Sequence, residues 1–482
     1  MVPLAKPPLH HSLYIVGGNL PLWYTNSSPS FPLIYLFFSF FFGLITMGFA
    51  QEESLVYDLR LSSVGPGRVS GTDVFHNPAG LDLAMKLHYL RMIYFFDSDV
   101  AQSLSIMHIK ERMFPWFNHY FITCGRFRRS ETGRPFIKCN DCGARFIEAK
   151  CDKTLDEWLE MKDWGSYKLL ASQQVIGPEL FFSPPILLQV THFRCGGISL
   201  GLSWAHILGD PFAASEFINN WGRCMNYLDL TKPINIPRPI PRPTGTGPQM
   251  DPVCAKPVDP VGDHWIPPNN CKMVTFSFQV TGSQMNYLQA QIWGPSADQT
   301  PPFESLCAVI WHCVAQVRPG FEPNTVTICK PDPSHGNDII GNNQVISKVE
   351  AGSEFSMTDT NFRVLASMLA EQGIDERNLI EEAMEKDEGV ADFYVYGANL
   401  TFVDLEETNV YELELKGKKP RFVYTTLQGV GDEGVVLVMP WPKGANKNGS
   451  DGKFVTMILP EDQIVKIKPE LKNNGLLLEG DF

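Results

Sequence analysis

The 482-residue sequence has no Lys/Arg block: 40 basic residues stand against 53 acidic ones, for a formal net charge of −13. Holding nucleic acid needs clustered cations to neutralise phosphates, so that class of function is excluded. Charged residues make up only 19% and hydrophobic ones 44%, which excludes disorder as the main state and allows a large core. Glycine and proline (39 and 37 residues) fall short of a collagen-like or low-complexity chain, and no repeat of 20–50 residues is visible. There is no G-x-S-x-G elbow, no phosphate-binding G-x-x-x-x-G-K-[ST] loop and no H-E-x-x-H helix. The eleven cysteines are scattered and odd in number, the pattern of buried thiols in a reducing compartment. Their one close pair, Cys139-Asn-Asp-Cys142, has no second pair to complete a zinc site and reads as a turn between strands. No metal site is expected.

Length predicts two or three globular units. Eleven prolines lie between Pro233 and Pro268, a density that suits neither helix nor sheet interior, and 233–269 reads as an extended crossover. The expected organisation is an extension over 1–51, one domain over 52–232, the crossover, and a second domain over 270–482. Residues 31–50 form an uncharged apolar run long enough to cross a bilayer core of about 30 Å as a helix. Three readings of it stand: a signal anchor, a cleaved signal peptide ending at Gly48-Phe-Ala50, or an extension upstream of a start at Met47. Arg60 and Arg68, on its C-terminal side, favour a cytosolic body if the segment spans.

Strand and helix patterns alternate without a βαβ period, which predicts a mixed-sheet α/β fold. Arg126–Ile147 reads as a β meander. Residues 86–96 fit a helix and a strand equally. Leu187–Phe193 and Ile198–Trp204 read as strands around a Gly196-Gly197 turn. A helix from Asp210 places Ala214, Ile218, Trp221 and Met225 on one face. Later come a strand at Val274–Val280, a buried helix over 303–317, and helices over 361–372 and 375–386 with Asp375 as N-cap. Strands follow at 394–403, 422–427, 434–439 and 453–459. The acidic run 381–388 reads as a solvated helix face.

The chemically suggestive residue is His206, in Trp204-Ala-His-Ile-Leu-Gly-Asp210. An imidazole at a strand-to-helix corner, facing a cleft, can serve as a general base near neutral pH. Asp210 followed by Pro211 also has the form of a helix N-cap with proline at N1, a structural role compatible with aiming the histidine.

The stretch from Leu188 to Asp210 resembles the core signature of plant BAHD acyltransferases. Cys124-Gly-Arg, the Gly133-Arg turn, Phe146-Ile-Glu-Ala149, Ser305-Leu-Cys-Ala-Val-Ile-Trp311 and, in part, Ile340-Gly-Asn342 resemble its flanking blocks. The resemblance covers essentially all of 52–482. It implies two chloramphenicol-acetyltransferase-like mixed-sheet domains with a channel between them, no bound cofactor, and acyl-CoA as the substrate to expect. It also implies a monomer in which the histidine deprotonates an acceptor and the aspartate orients the site. The family's D-F-G-W-G motif is replaced here by Glu414-Leu415-Lys416-Gly417-Lys418, ahead of Lys419-Pro420. Leu55–Arg68, Asp82–Arg91 and Tyr396-Gly-Ala-Asn-Leu-Thr-Phe402 look like blocks of the eceriferum-type (glossy-type) branch. That branch implies a role in very-long-chain fatty acyl elongation for cuticular wax. A fatty-acid elongase condensing enzyme would be the partner, at the cytosolic face of the endoplasmic reticulum or in the cytoplasm. Two expectations follow: an elongation partner that does not perform ordinary acyl transfer, or an acyl-CoA-dependent O- or N-acyltransferase with His206 as base.

Overall fold

Why the ambiguous 86–96 stretch becomes a strand is visible in its neighbours. In a computed structural model, Tyr89–Phe96 is hydrogen-bonded on both edges, to Ile198–Ala205 and to Phe422–Gln428, and all eight of its residues are buried. A strand flanked on both sides and covered on both faces reads as a continuous apolar run, so its periodicity carries no signal. The structure describes residues 54–102, 104–172, 183–230, 251–257, 260–261, 264–265, 271–294, 301–334, 340–352, 360–386, 394–395, 398–442 and 452–478. The apolar run 31–50 and most of the proline-rich crossover lie outside them.

Two large mixed sheets organise the molecule. The first runs in the order Val56–Val64, Ala144–Cys151, Ile186–Phe193, Ile198–Ala205, Tyr89–Phe96, Phe422–Gln428, antiparallel except for the Ala144–Cys151/Ile186–Phe193 pair. The second runs Met273–Val280, Lys453–Pro460, Val435–Pro440, Leu400–Asp404, Thr325–Lys330, Val345–Glu350, Ile374–Asp375. Its three inner strands from Val435–Pro440 to Thr325–Lys330 are parallel. One sheet is thus built mainly from chain before the proline-rich run and one from chain after it, with Phe422–Gln428 placed in the earlier sheet. Aromatic side chains join them: Trp164 stacks on Tyr424 at 5.5 Å and meets Phe454 of the second sheet at 5.3 Å.

Several local expectations are corrected. Arg126–Arg129 and Pro135–Lys138 pair as a hairpin, but Ala144–Cys151 leaves it for the first large sheet. The Cys139 loop makes that switch with Asp141 and Gly143 at positive φ (53° and 79°), and a side chain at Gly143 would meet the Val64 carbonyl at 2.6 Å. Residues 394–403 split into Tyr394–Val395, paired with Lys256–Pro257, and Leu400–Asp404 in the second sheet. The acidic helix starts at Arg377; Asp375 lies in a short strand, though its Oδ1 still accepts the Arg377 N–H. That helix is also not simply solvated. Glu381 is buried and accepts from the N–H groups of Gly80 and Leu81, and Glu385 pairs with both terminal nitrogens of Arg134.

Candidate active site

The strand Ile198–Ala205 ends in a short 3-10 turn, His206–Leu208, and the Pro211–Met225 helix begins three residues later. The corner is held from several directions. The His206 N–H donates to the His88 carbonyl at 2.9 Å, and Trp204 Nε1–H donates to the Gly209 carbonyl at 2.9 Å. Gly209 has φ +153°, and a β-carbon there would lie 2.9 Å from both the N and the O of Gly341, so only glycine fits.

Asp210 divides its carboxylate between two structures. Oδ1 accepts from Phe212 N–H and Ala213 N–H, both at 3.0 Å, capping the helix, and Oδ2 accepts from Asn343 N–H at 2.9 Å. The aspartate therefore orients the corner by binding backbone: it ties the helix start to the 341–343 loop of the chain's second half. The preceding residue in that loop, Asn342, carries the rest. Its Nδ2–H donates to Asp82 Oδ1 and to the His206 carbonyl, both at 2.9 Å, and its own N–H also donates to Asp82 Oδ1. Asp82 Oδ2 accepts the Ala79 N–H.

Burial sets the electrostatics. His206 is only 2% exposed. Desolvation lowers its pKa to about 4, so the imidazole is neutral at physiological pH. His88 is pushed down to about 3, by burial first and by the neighbouring His206 second. Burial raises Asp210 to about 6 against the pull of its backbone donors. A neutral imidazole can accept a proton, but one whose charged form is this disfavoured is a weak base.

The 414–418 segment lies elsewhere. Leu415 and Lys418 exchange backbone hydrogen bonds at 2.9 and 3.0 Å around Lys416 (φ +54°) and Gly417 (φ +73°), a tight two-residue turn. Leu413 and Leu415 are buried, while Glu414, Lys416, Gly417 and Lys418 are exposed. Glu414 packs at Gly222 and accepts from Asn226 Nδ2–H through its carbonyl. Gly222 is twelve residues along the helix from Asp210, about 18 Å at 1.5 Å per residue. His206 and Asp210 thus share one corner, and 414–418 sits at the far end of the same helix. Sequence reasoning gave no site role to Asp82, His88 or Asn343, and read Glu381 as part of a solvated helix face. The signals available were the Asp82–Arg91 and Ile340–Asn342 blocks, which supply Asp82, His88 and Asn342. Among the described residues no three His, Cys, Asp or Glu side chains cluster as metal ligands, and no helix is long and apolar enough to cross a membrane.

The two-sheet architecture is that of the BAHD acyltransferase fold. Vinorine synthase superposes with a TM-score of 0.62 at 18% identity, covering 87% of this chain and 98% of that one. F. sporotrichioides TRI101, solved with coenzyme A and T-2, gives 0.62 at 14% identity, covering 82% and 97%. The Transferase family profile matches residues 79–473, and the chain belongs to that family, the BAHD acyltransferases, in its eceriferum branch. Protein ECERIFERUM 26-like of Arabidopsis thaliana is 42% identical over 438 residues, covering 89% of this chain and 99% of its own length. Protein ECERIFERUM 26 and Protein ECERIFERUM 2 of the same plant are 41% and 36% identical, covering 89% and 88% of this chain and 100% and 99% of theirs.

Proposed function

We propose that this chain acts in very-long-chain fatty acyl elongation for cuticular wax. It would be the partner of an elongase condensing enzyme at the cytosolic face of the endoplasmic reticulum, and would not perform ordinary acyl transfer. The observation that carries this reading is the match, over nearly their whole length, to relatives named for the eceriferum character. Two features of the site support it. The His206 imidazole is sealed and weakly basic, and the place of the family's D-F-G-W-G motif is taken by a self-closed turn with lysines facing solvent. Long-chain acyl-CoA is then what the condensing enzyme extends, with this chain beside it.

The second reading, acyl-CoA-dependent transfer to a hydroxyl or amine with His206 as general base, is favoured by one observation: the His206–Asp210 corner is intact and its imidazole is in the proton-accepting form. One substitution separates the two. His206→Ala is co-expressed with a condensing enzyme in a host lacking the longest acyl chains. The elongation reading expects the longest products to persist. A drop of about 10²–10⁴-fold, the usual loss on removing a general base, in a variant that remains folded and abundant would refute it in favour of acyl transfer.

A further inference from the structure

Three arginines of the described residues are almost wholly buried: Arg91, Arg126 and Arg318. Taking a guanidinium out of water is unfavourable unless acceptors replace the water it loses. Arg318 is fully provided for. Its Nη1 donates to Glu433 Oε2 at 2.6 Å, its Nη2 to the Glu433 carbonyl, and its Nε and Nη2 to Gln463 Oε1. Arg126 donates through Nη1 to the carbonyls of Gly125 and Gly143 and through Nη2 to that of Cys142.

Arg91 differs. It is 6% exposed, Gln428 Oε1 accepts from its Nη2, and its Nε–H is buried with no acceptor. No carboxylate among the described residues pairs with it. Its cross-strand neighbours, Ser203 and Thr426, are neutral, and Tyr424 lies close by. Burial lowers its pKa only to about 10, so the group stays charged at neutral pH. This fixed fork of donors, five in number, has one acceptor supplied by the protein.

The Nε–H itself is shut off from solvent, and the end of the sheet lies one strand away. Among the described residues Phe422–Gln428 is the last strand of the first sheet, with Thr426 and Gln428 on it half-buried, so the strand that carries Arg91 is one in from that end. The strand position of Arg91 is about 10 Å from that of His88, whose carbonyl holds the His206 N–H. Arg91 belongs to neither the His206 corner nor the 414–418 turn.

We infer that Arg91, with Gln428 and Thr426 at the sheet edge, is a binding site for an anionic group, a carboxylate or a phosphate, that completes the guanidinium's hydrogen bonding. An oxyanion matches a planar fork of donors with two oxygens at once, which a lone amide oxygen cannot do. The site does not depend on the elongation reading, which only suggests which molecules to try.

The test uses the full chain in three forms: wild type, Arg91→Gln and Arg91→Lys. The probes are palmitate, methyl palmitate, coenzyme A and inorganic phosphate, with binding read by calorimetry and by the shift in thermal unfolding midpoint. The wild type is expected to bind palmitate and not its ester, or coenzyme A and phosphate; the first pattern identifies a carboxylate and the second a phosphate. R91Q should bind at least about tenfold more weakly, the usual loss of a charge-assisted pair, and R91K should fall between, keeping the charge without the fork. Without ligand, R91Q should melt no lower than the wild type, because it removes a buried charge that the fold leaves uncompensated. If R91Q melts well below the wild type or fails to fold, the guanidinium is serving a partner within the chain and the proposal falls. It falls equally if the wild type binds none of the four probes, or if R91Q binds them as well as the wild type does.

Discussion

His206 shows how far a single residue can be read in advance and where that reading stops. Its spacing to Asp210 and its place after a strand are legible, as is the N-cap form of Asp-Pro. The split of the Asp210 carboxylate between Phe212, Ala213 and Asn343 is not, because Asn343 is 133 positions away. The depth of burial has a measurable consequence. The unfolded imidazole takes its proton near pH 6.5, whereas the folded one does so only near 4. The stability this residue leaves intact above pH 6.5 is therefore lost as pH falls towards 4, because the unfolded chain binds a proton that the native site refuses. In urea titrations from pH 7 to 4, His206→Gln should lose less stability than the wild type, by about 3 kcal/mol at the acid end. Parallel pH profiles would mean that the imidazole is solvated or charge-paired in the native state.

At the scale of elements, the short Gly80–Ala84 helix illustrates the same limit. Five residues cannot hold a helix by propensity. This one is pinned at its N-terminus by Glu381, which accepts from Gly80 and Leu81, and through Asp82 by Asn342. Sequence reading took Glu381 for a surface charge, which is the sound default for a Glu in an acidic amphipathic helix, since burial depends on what that face meets. A carboxylate capping two N–H groups inside the protein should matter. Glu381→Ala is expected to lower the unfolding free energy by about 2 kcal/mol, the range for hydrogen bonds to a charged group. The drop would be seen as an earlier denaturation midpoint at unchanged slope. A change within a few tenths would mean that water replaces the carboxylate at little cost.

For the whole molecule, the decisive feature is the exchange of Phe422–Gln428 into the first sheet, along Tyr89–Phe95 of the Tyr89–Phe96 strand. Without it, the Tyr89–Phe96 strand becomes an open apolar edge. Residues 52–232 expressed alone should accordingly remain insoluble or melt without a cooperative transition, and co-expression with 270–482 should restore one; a sharp transition in the isolated piece would contradict this. The sequence alone determined the mixed-sheet α/β class, the existence and type of most elements, the family and its branch, and the histidine corner. All of these are written in local spacing or in contiguous runs of residues. Only the tertiary structure decided which sheet the late strand joins, which carboxylates cap buried N–H groups, and that Arg91 is buried with its Nε–H unfilled. Each of those depends on contacts between residues hundreds of positions apart, and the free energy of burying a charge is set by the groups that meet it, which no local pattern records.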